Sequence, residues 1–183
     1  MLRIVAGELG GRRLSAPAGM GTRPTSEKVR EALFAILGEW LVDKRAADFF
    51  AGSGALGLEA LSRGAAWCLF VEHSHKVGRV LRSNLDRLEV QERSQLEVTD
   101  AIRPDLRVLE LAPFDLVLAD PPYERGLVSR FVRTCRDEEL VAPGGKLVIE
   151  HSPAERPPES SHLKLTDQRR YGQTELSFLD SLV

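Results

Sequence analysis

From residue 46 onwards, the chain alternates short apolar runs with stretches of helical spacing. Apolar runs at 46–50, 67–71, 95–98, 114–119 and 146–150 predict five strands. Helices are expected between them, near 55–63 and 74–88. Strands that are apolar along almost their whole length are typical of a parallel sheet covered on both faces. Strand-like segments near 162–166 and 174–179 predict a C-terminal hairpin, which makes a doubly wound, mostly parallel α/β sheet of seven strands.

The first 24 residues have a different pattern. Leu2–Ala6 and Arg12–Ser15 flank a turn rich in glycine and predict a small β-hairpin, which a Gly- and Pro-rich loop follows. Thr25 or Ser26 is expected to cap the next helix. The apolar face of that helix is predicted to contain Val29, Leu33, Ile36, Leu37 and Trp40. We therefore expect an N-terminal hairpin and loop over 1–24 and a main domain over 25–183.

Composition narrows the class of protein. With 183 residues, of which 43% are hydrophobic, the chain can bury a full core without disulfides. Cys68 and Cys135 lie far apart, and His73 and His75 form an isolated pair at a helix start, so we expect no disulfide framework and no metal site. No apolar run approaches the ~18 residues of a membrane span. These features predict a cytoplasmic protein with no membrane contact, and we expect a monomer.

The charge is distributed unevenly. A formal net charge of -2 argues against a nucleic-acid partner, because lysine and arginine supply most of the affinity for phosphates. Residues 1–30, however, contain six basic and only two acidic side chains. Such an excess is found in nucleic-acid-binding arms and also on ordinary solvated surfaces.

A glycine-rich turn follows the first predicted strand. Gly52, Gly54 and Gly57 match the GxGxxG spacing of nucleotide-cofactor loops, and Glu72 ends the second strand where a ribose-binding acid belongs. In dinucleotide enzymes the helix start receives an anionic pyrophosphate. Asp48, four residues before Gly52, is expected to face the ligand and to repel such a group.

A cationic cofactor fits these acids better than NAD. S-adenosylmethionine carries a sulfonium and an ammonium group and no phosphate. Glu72 is expected to accept hydrogen bonds from its ribose hydroxyls, and Asp100, after the third strand, from its adenine amine. The sequence therefore predicts S-adenosylmethionine as the cofactor.

Asp120-Pro121-Pro122-Tyr123, here called the DPPY loop, ends the fourth predicted strand. The two prolines restrict the backbone and predict a rigid loop with the Asp120 carboxylate and a backbone carbonyl facing the cleft. Two such acceptors suit the two N–H groups of an exocyclic amine, and Asp120 can stabilise positive charge that develops on the nitrogen. The Tyr123 ring offers a surface for an unstacked base.

These residues resemble the class I S-adenosylmethionine-dependent methyltransferases that modify exocyclic amines. A closer resemblance covers nearly the whole chain, to the bacterial 16S ribosomal RNA guanine-N2 methyltransferases acting at guanine 966. The blocks that carry it are Arg3–Gly7, Gly11–Leu14, Thr22–Thr25, Val29–Phe34, Asp48–Gly57, Leu58–Ala65 and Tyr171-Gly172. Ala35 and Gln173 depart from the pattern of that family, which expects Asn and Asp there.

The resemblance implies a Rossmann-like fold and assigns roles to residues. A cofactor site is implied for Asp48, Phe50, Ala51, Gly52, Gly54, Glu72, Asp100 and Ala101, and a target-amine site for Asp120, Pro121, Pro122 and Tyr123. Contacts to 16S rRNA are implied for Arg12, Arg13, Arg23, Thr25, Lys28 and Arg30. The expected substrate is this rRNA within small-subunit particles.

Three other functions are compatible with parts of the sequence. A DNA adenine or cytosine amino-methyltransferase shares the DPPY loop, but the chain has no obvious insertion large enough to read a duplex. A noncatalytic RNA-binding assembly factor on the same fold is a second alternative. An NAD-dependent oxidoreductase is the third, and the charge of Asp48 disfavours it.

Overall fold

The computed structural model describes residues 2–17 and 27–182. The strands are β1 (Arg45–Phe49), β2 (Trp67–Glu72), β3 (Ser94–Val98), β4 (Phe114–Ala119), β5 (Val141–His151), β6 (Leu163–Tyr171) and β7 (Thr174–Ser181). The helices are α1 (Glu27–Leu37), α2 (Ala55–Ser62), α3 (His75–Arg87), α4 (Leu106–Leu109) and α5 (Leu127–Asp137). Short 3₁₀ turns span Gly38–Leu41 and Gln91–Arg93.

All seven strands form one sheet in the order β3-β2-β1-β4-β5-β7-β6. Strands β1 to β5 pair in parallel, whereas β7 is antiparallel to both β5 and β6. Apolar side chains of α1, α2 and α3 pack on one face of the sheet, and those of α4 and α5 pack on the other. The predicted doubly wound, mostly parallel α/β sheet of seven strands is confirmed.

Strand β5 begins earlier than its apolar run predicts. It includes Pro143, Gly144 and Gly145, because β5 bulges where its pairing with β4 shifts register between Phe114 and Leu116. A Cβ at Gly145 would lie 2.7 Å from the Asp115 carbonyl oxygen, so the bulge requires glycine there. A proline-glycine segment that reads as a turn thus belongs to the strand.

The apolar face of α1 is shorter than predicted. Val29, Leu33 and Leu37 are buried, but α1 ends at Leu37 and leaves Ile36 42% exposed. Trp40 lies in the following 3₁₀ turn and is half-buried. The caps expected at Thr25 or Ser26 lie outside the described residues.

Residues 2–17 form the N-terminal arm, which folds back on itself without regular strands. Arg3 and Arg13 form an isolated antiparallel bridge, and the Ile4 N–H donates to the Arg12 carbonyl at 3.0 Å. Ile4 and Leu14 of the arm are buried in the core that contains α1, α2 and α3. The arm therefore packs closely on the sheet domain.

A buried carboxylate attaches the arm to α2. Glu59, which is inaccessible to solvent, accepts hydrogen bonds from the N–H groups of Val5 at 2.7 Å and Ala6 at 3.0 Å. The Arg63 side chain pairs with the same carboxylate at 2.8 Å. Gly7 approaches so closely that a Cβ there would lie 1.9 Å from the Ser62 carbonyl oxygen.

Across residues 2–17 and 27–182, the structure contains no helix with the length and apolar character that a bilayer crossing requires.

The Glu59 contact predicts a stability effect. Glu59→Gln keeps one acceptor oxygen and places an NH₂ group where the second was, so one arm N–H loses its buried partner. We expect the free energy of unfolding to fall by about 1–3 kcal/mol, measured by urea denaturation. Glu31→Gln on the exposed side of α1 is the control and should change it by less than about 0.5 kcal/mol. Equal effects of the two substitutions would contradict the role of Glu59.

Candidate active site

Four loops meet at the carboxyl edge of the parallel strands. Phe49, the last residue of β1, is in register with Val71 of β2 and with Ala119, the last residue of β4. Glu72, which ends β2, is in register with Val98 at the end of β3. The glycine loop after β1 and the DPPY loop after β4 therefore leave the sheet side by side. The strand order changes direction there, and open α/β sheets place ligands in such a crevice.

Glu72 joins two of these loops. Its carboxylate accepts from the Gly52 N–H at 2.9 Å and from the Ser74 N–H at 2.8 Å. The first contact ties Glu72 to the glycine loop, and the second fixes the turn that leads into α3. Each carboxylate oxygen has a further lone pair, so Glu72 is suitably placed at the crevice to accept from ribose hydroxyls.

Two of the three glycines in this loop are required by close packing, and the third borders open space. A Cβ on Gly54 would lie 2.3 Å from Leu81 Cδ1, and one on Gly57 would lie 2.4 Å from Phe70 Cε1. Both glycines therefore allow close packing of the loop and α2 on the core. A Cβ on Gly52 would meet no atom closer than 3.9 Å, and the φ of Gly52 is +56°. Gly52 thus borders open space on the cofactor side of the loop.

Asp48 does not point into the crevice, contrary to the expectation from the sequence. Along β1, Ala46 packs among α1, α2 and α3, and alternation directs Asp48 to the same side. Asp48 is 1% exposed and its Oδ2 accepts from the Gly57 N–H at 2.8 Å. Burial raises the pKa of Asp48 to about 8, against a weaker lowering by this hydrogen bond. The carboxyl group of Asp48 is therefore shielded from direct contact with a ligand in the crevice.

The same contact changes the argument against a dinucleotide. Asp48 accepts the N–H of the third residue of α2, a helix whose N-cap residue, Gly54, has no capping side chain. Pyrophosphate binding uses free N–H groups of this kind. Asp48 therefore disfavours a bound pyrophosphate by occupying one of these donors.

The other predicted cofactor residues lie around the crevice. Phe50 begins the glycine loop with a φ of +60°, and its ring centroid is 5.4 Å from that of Phe131 on α5. Ala51 is buried and donates its N–H to the Val71 carbonyl at 3.0 Å. Asp100 is exposed after β3 and accepts from the Ile102 N–H at 2.8 Å, while Ala101 beside it is buried.

The DPPY loop is rigid at its base. Pro121 is buried and Pro122 exposed, while Asp120 is half-buried at the end of β4. The Tyr123 hydroxyl lies 3.3 Å from Glu150 Oε1 and 3.1 Å from Thr174 Oγ1. Glu155 accepts hydrogen bonds from the N–H groups of Glu124 and Gly126 just beyond the loop.

The residues at the edge fit S-adenosylmethionine. Gly52 leaves room beside the loop, Glu72 provides an acceptor at the end of β2, and Asp100 provides an exposed carboxylate at the end of β3. No group of three or more potential metal ligands occurs in the described parts of the chain.

Of the six predicted RNA-binding residues, three are exposed, one is buried, and two lie outside the described residues. Arg12, Arg13 and Lys28 are exposed. Arg30 is 1% exposed and donates to the Arg3 carbonyl at 2.5 Å, so its predicted contact with RNA is wrong. Burial lowers the pKa of Arg30, and the charges of Glu59, Glu27 and Glu150 oppose that shift. Arg23 and Thr25 lie outside the described residues.

Sequence reasoning missed several residues that shape the site. Asn84, buried in α3, donates to the carbonyls of Ser15 in the arm at 3.0 Å and Ser53 in the glycine loop at 2.9 Å. Thr174 and Glu150 come from the C-terminal half of the sheet. In the sequence, only the Tyr171-Gly172 pair, which is one of the blocks that carry the family resemblance, pointed to the neighbourhood of Thr174.

Comparison with known proteins decides the family. The family described as Conserved hypothetical protein 95 matches residues 2–180. The chain belongs to this family. Ribosomal RNA small subunit methyltransferase D of Escherichia coli is 36% identical over 81% of this chain and 74% of its own. YlbH of Bacillus subtilis is 35% identical over 94% of this chain and 95% of its own.

Similar proteins of known structure have the same fold. The solved structure of Escherichia coli yhhF has a TM-score of 0.85 and 30% identity, and it covers 100% of this chain and 98% of that chain. The Thermus thermophilus protein TTHA0928 has a TM-score of 0.77 and 28% identity, over 97% and 98% of the two chains. The predicted family and the methyltransferase-like sheet are both confirmed.

The buried position of Asp48 predicts an unusual pH dependence of stability. A carboxyl with a folded pKa of about 8, against an ordinary 3.8, binds a proton on folding, so stability falls as pH rises through that window. Asp48→Asn keeps an oxygen for the Gly57 N–H but does not titrate. From about pH 5 to about pH 8 the variant should gain stability relative to the unaltered protein, by up to about 1.4 kcal/mol per pH unit.

Thermal and urea unfolding at both pH values measure this difference. Asp43→Asn, at an exposed position, is the matched control and should show no such trend. A difference between Asp48→Asn and the unaltered protein that stays constant over the window would contradict the raised pKa.

Proposed function

We propose that this protein transfers a methyl group from S-adenosylmethionine to the exocyclic N2 amine of a guanine in 16S rRNA, at the position of the 966 type. The observation that carries the proposal is the register of Phe49 with Ala119, because it sets the glycine loop beside the DPPY loop. The name of the Escherichia coli relative supports a small-subunit rRNA substrate. The guanine-N2 specificity comes from the sequence resemblance.

Phe50, Ala51, Gly52, Gly54, Glu72, Asp100 and Ala101 are the residues proposed to line the cofactor site. Bound there, the cofactor supplies an electrophilic methyl group on a sulfonium. Glu72 accepts from the ribose, and Asp100 accepts from the adenine amine. Asp48 supports this site from the core side of the glycine loop by accepting a hydrogen bond from the Gly57 N–H.

The DPPY loop is proposed to hold the target amine. The Asp120 carboxylate and a neighbouring backbone carbonyl accept its two N–H groups, which directs the nitrogen lone pair at the methyl carbon. As the N–C bond forms and the C–S bond breaks, positive charge develops on nitrogen, and Asp120 stabilises it and accepts the departing proton. Tyr123 stacks on the base, which must be unpaired or flipped to reach the site.

The arm is proposed to bind the RNA backbone. Arg12 and Arg13 are exposed, and the Arg87 guanidinium donates to the Arg13 carbonyl at 2.8 Å, so three arginines meet where the arm crosses α3. A net charge of -2 predicts modest affinity for naked RNA, which supports a structured small-subunit particle as the substrate. The protein is proposed to act there as a monomer.

A methyl-transfer assay tests this function. Purified protein with labelled S-adenosylmethionine is offered small subunits, free 16S rRNA and duplex DNA, and label should enter the rRNA. Asp120→Ala should lower turnover by at least about 10²-fold, because the variant can neither stabilise the developing charge nor accept the proton. Cofactor affinity should stay within a few-fold.

Asp137→Ala, on the exposed end of α5, should leave turnover unchanged. Label only in DNA would favour the DNA amino-methyltransferase. Cofactor binding without label in any substrate would favour the noncatalytic assembly factor. Full activity of Asp120→Ala would overturn the role of Asp120.

The arm predicts a salt-dependent effect on RNA binding. Arg12→Gln with Arg13→Gln should weaken binding and reduce the slope of log K against log salt by about 0.7–0.9 for each phosphate that the variant no longer neutralises. Arg130→Gln with Arg133→Gln is the control, since these exposed arginines lie on α5 at the opposite face of the sheet. Equal slopes for both double variants, measured by filter binding, would contradict the arm as the RNA-binding surface.

A further inference from the structure

The Tyr123 hydroxyl makes hydrogen bonds with two strands that follow it in the chain. It donates to Glu150 Oε1 of β5 at 3.3 Å, and Thr174 Oγ1 of β7 lies 3.1 Å away. A phenol has one proton, so while Tyr123 donates to Glu150 the Thr174 hydroxyl donates to the phenolic oxygen. The three side chains then form one chain of hydrogen bonds with a defined direction.

This chain lies at the inner side of the loop. Glu150 is 4% exposed and Thr174 is 7% exposed, whereas Tyr123 as a whole residue is half-buried. Buried partners exchange hydrogen bonds with water rarely, so they restrict the ring more than surface partners would. The hydroxyl of a partly exposed residue is therefore held by two buried partners.

Glu150 is buried in β5, in register with Leu176 of β7. The carboxylate that accepts from Tyr123 therefore lies on a strand in the interior of the sheet and not on a mobile surface loop.

The turn between β6 and β7 places Thr174. Tyr171 pairs with Thr174 across a two-residue turn, in which Gly172 has a φ of +64°. Two-residue hairpins need such left-handed residues, and glycine adopts this conformation most readily. Thr174, as the first residue of β7, lies directly beyond that turn, so the Tyr171-Gly172 pair sets the position of its hydroxyl.

We propose that Thr174 and Glu150 are positioning residues that hold the Tyr123 ring in one orientation as the stacking platform for the target base. The proposal rests on the proposed function, because a platform needs a base. A ring fixed before the base arrives loses less conformational entropy on binding than a ring that rotates freely. Stacking on it then adds directly to the affinity for the flipped base.

Substitutions at Thr174 test the proposal. Thr174→Val removes the hydroxyl at nearly constant shape and should lower kcat/KM for rRNA by about tenfold, mainly through KM, since stacking contributes to base binding. KM for S-adenosylmethionine should not change. Thr174→Ser, which restores a hydroxyl, should recover activity to within about twofold. Unchanged kinetics in Thr174→Val, or no recovery in Thr174→Ser, would overturn the proposal.

A double-variant cycle adds a second test. Tyr123→Phe keeps the ring and removes the same hydrogen bond, so Tyr123→Phe with Thr174→Val should be no worse than the more damaging single substitution. If the losses in kcat/KM of the two single variants multiply in the double variant, Tyr123 and Thr174 do not act through the same hydrogen bond. Thermal unfolding of each variant separates a change in folding from a change in base binding.

Nuclear magnetic resonance gives a readout that does not need activity. The chain contains only two tyrosines, Tyr123 and Tyr171, so tyrosine labelled with ¹³C at Cζ gives two resonances, which Tyr171→Phe assigns. Thr174→Val should shift the Tyr123 resonance, and Thr174→Ser should return it close to its position in the unaltered protein. An unchanged Tyr123 resonance in Thr174→Val would contradict the proposal that Thr174 positions the Tyr123 ring. Absence of methyl transfer by the unaltered protein would instead overturn the proposed function.

Discussion

Backbone N–H groups of the loops at the carboxyl edge need acceptors, and side-chain carboxylates supply them. Glu72 accepts from Gly52 and Ser74, and Asp48 accepts from Gly57. Glu155 does the same for the chain beyond the DPPY loop. A buried N–H without a partner costs about 1–3 kcal/mol, so the contacts of Asp48 and Glu72 restrict the glycine loop to one arrangement. The N–H groups that bind Glu155 are exposed, so that contact restrains the chain less strongly. Hydrogen bonds within the protein therefore define the shape of the crevice before any ligand binds.

The same constraint keeps two separately supported loops side by side at one edge of the sheet. The glycine loop and the DPPY loop are adjacent because β1 and β4 are neighbours in register. Each loop is held from its own side, by Glu72 and Asp48 for the first and by Glu155 and the Tyr123 hydroxyl for the second. For the proposed reaction, this arrangement would let a methyl donor and an amine acceptor meet with little rearrangement, which favours displacement.

The sequence allows a good prediction of where the strands lie and less of where their side chains point. Apolar runs located the parallel strands, and the position of Glu72 at the end of its run identified an edge acid. Asp48 was misplaced because a strand of apolar residues gives no sign that one acid faces a helix start. Arg30 was misplaced because a basic segment resembles an RNA-binding arm, while the burial of Arg30 against the Arg3 carbonyl depends on how the N-terminal arm packs on α1.

In the proposed reaction, the crevice presents an exocyclic guanine amine to a methyl donor. Nucleoside mass spectrometry of small-subunit rRNA, after incubation with this protein and S-adenosylmethionine and complete digestion, identifies the methylated nucleoside. We expect N2-methylguanosine as the new nucleoside. A new methyl group on an adenine, a cytosine or a ribose hydroxyl, with no N2-methylguanosine, would contradict the proposed reaction.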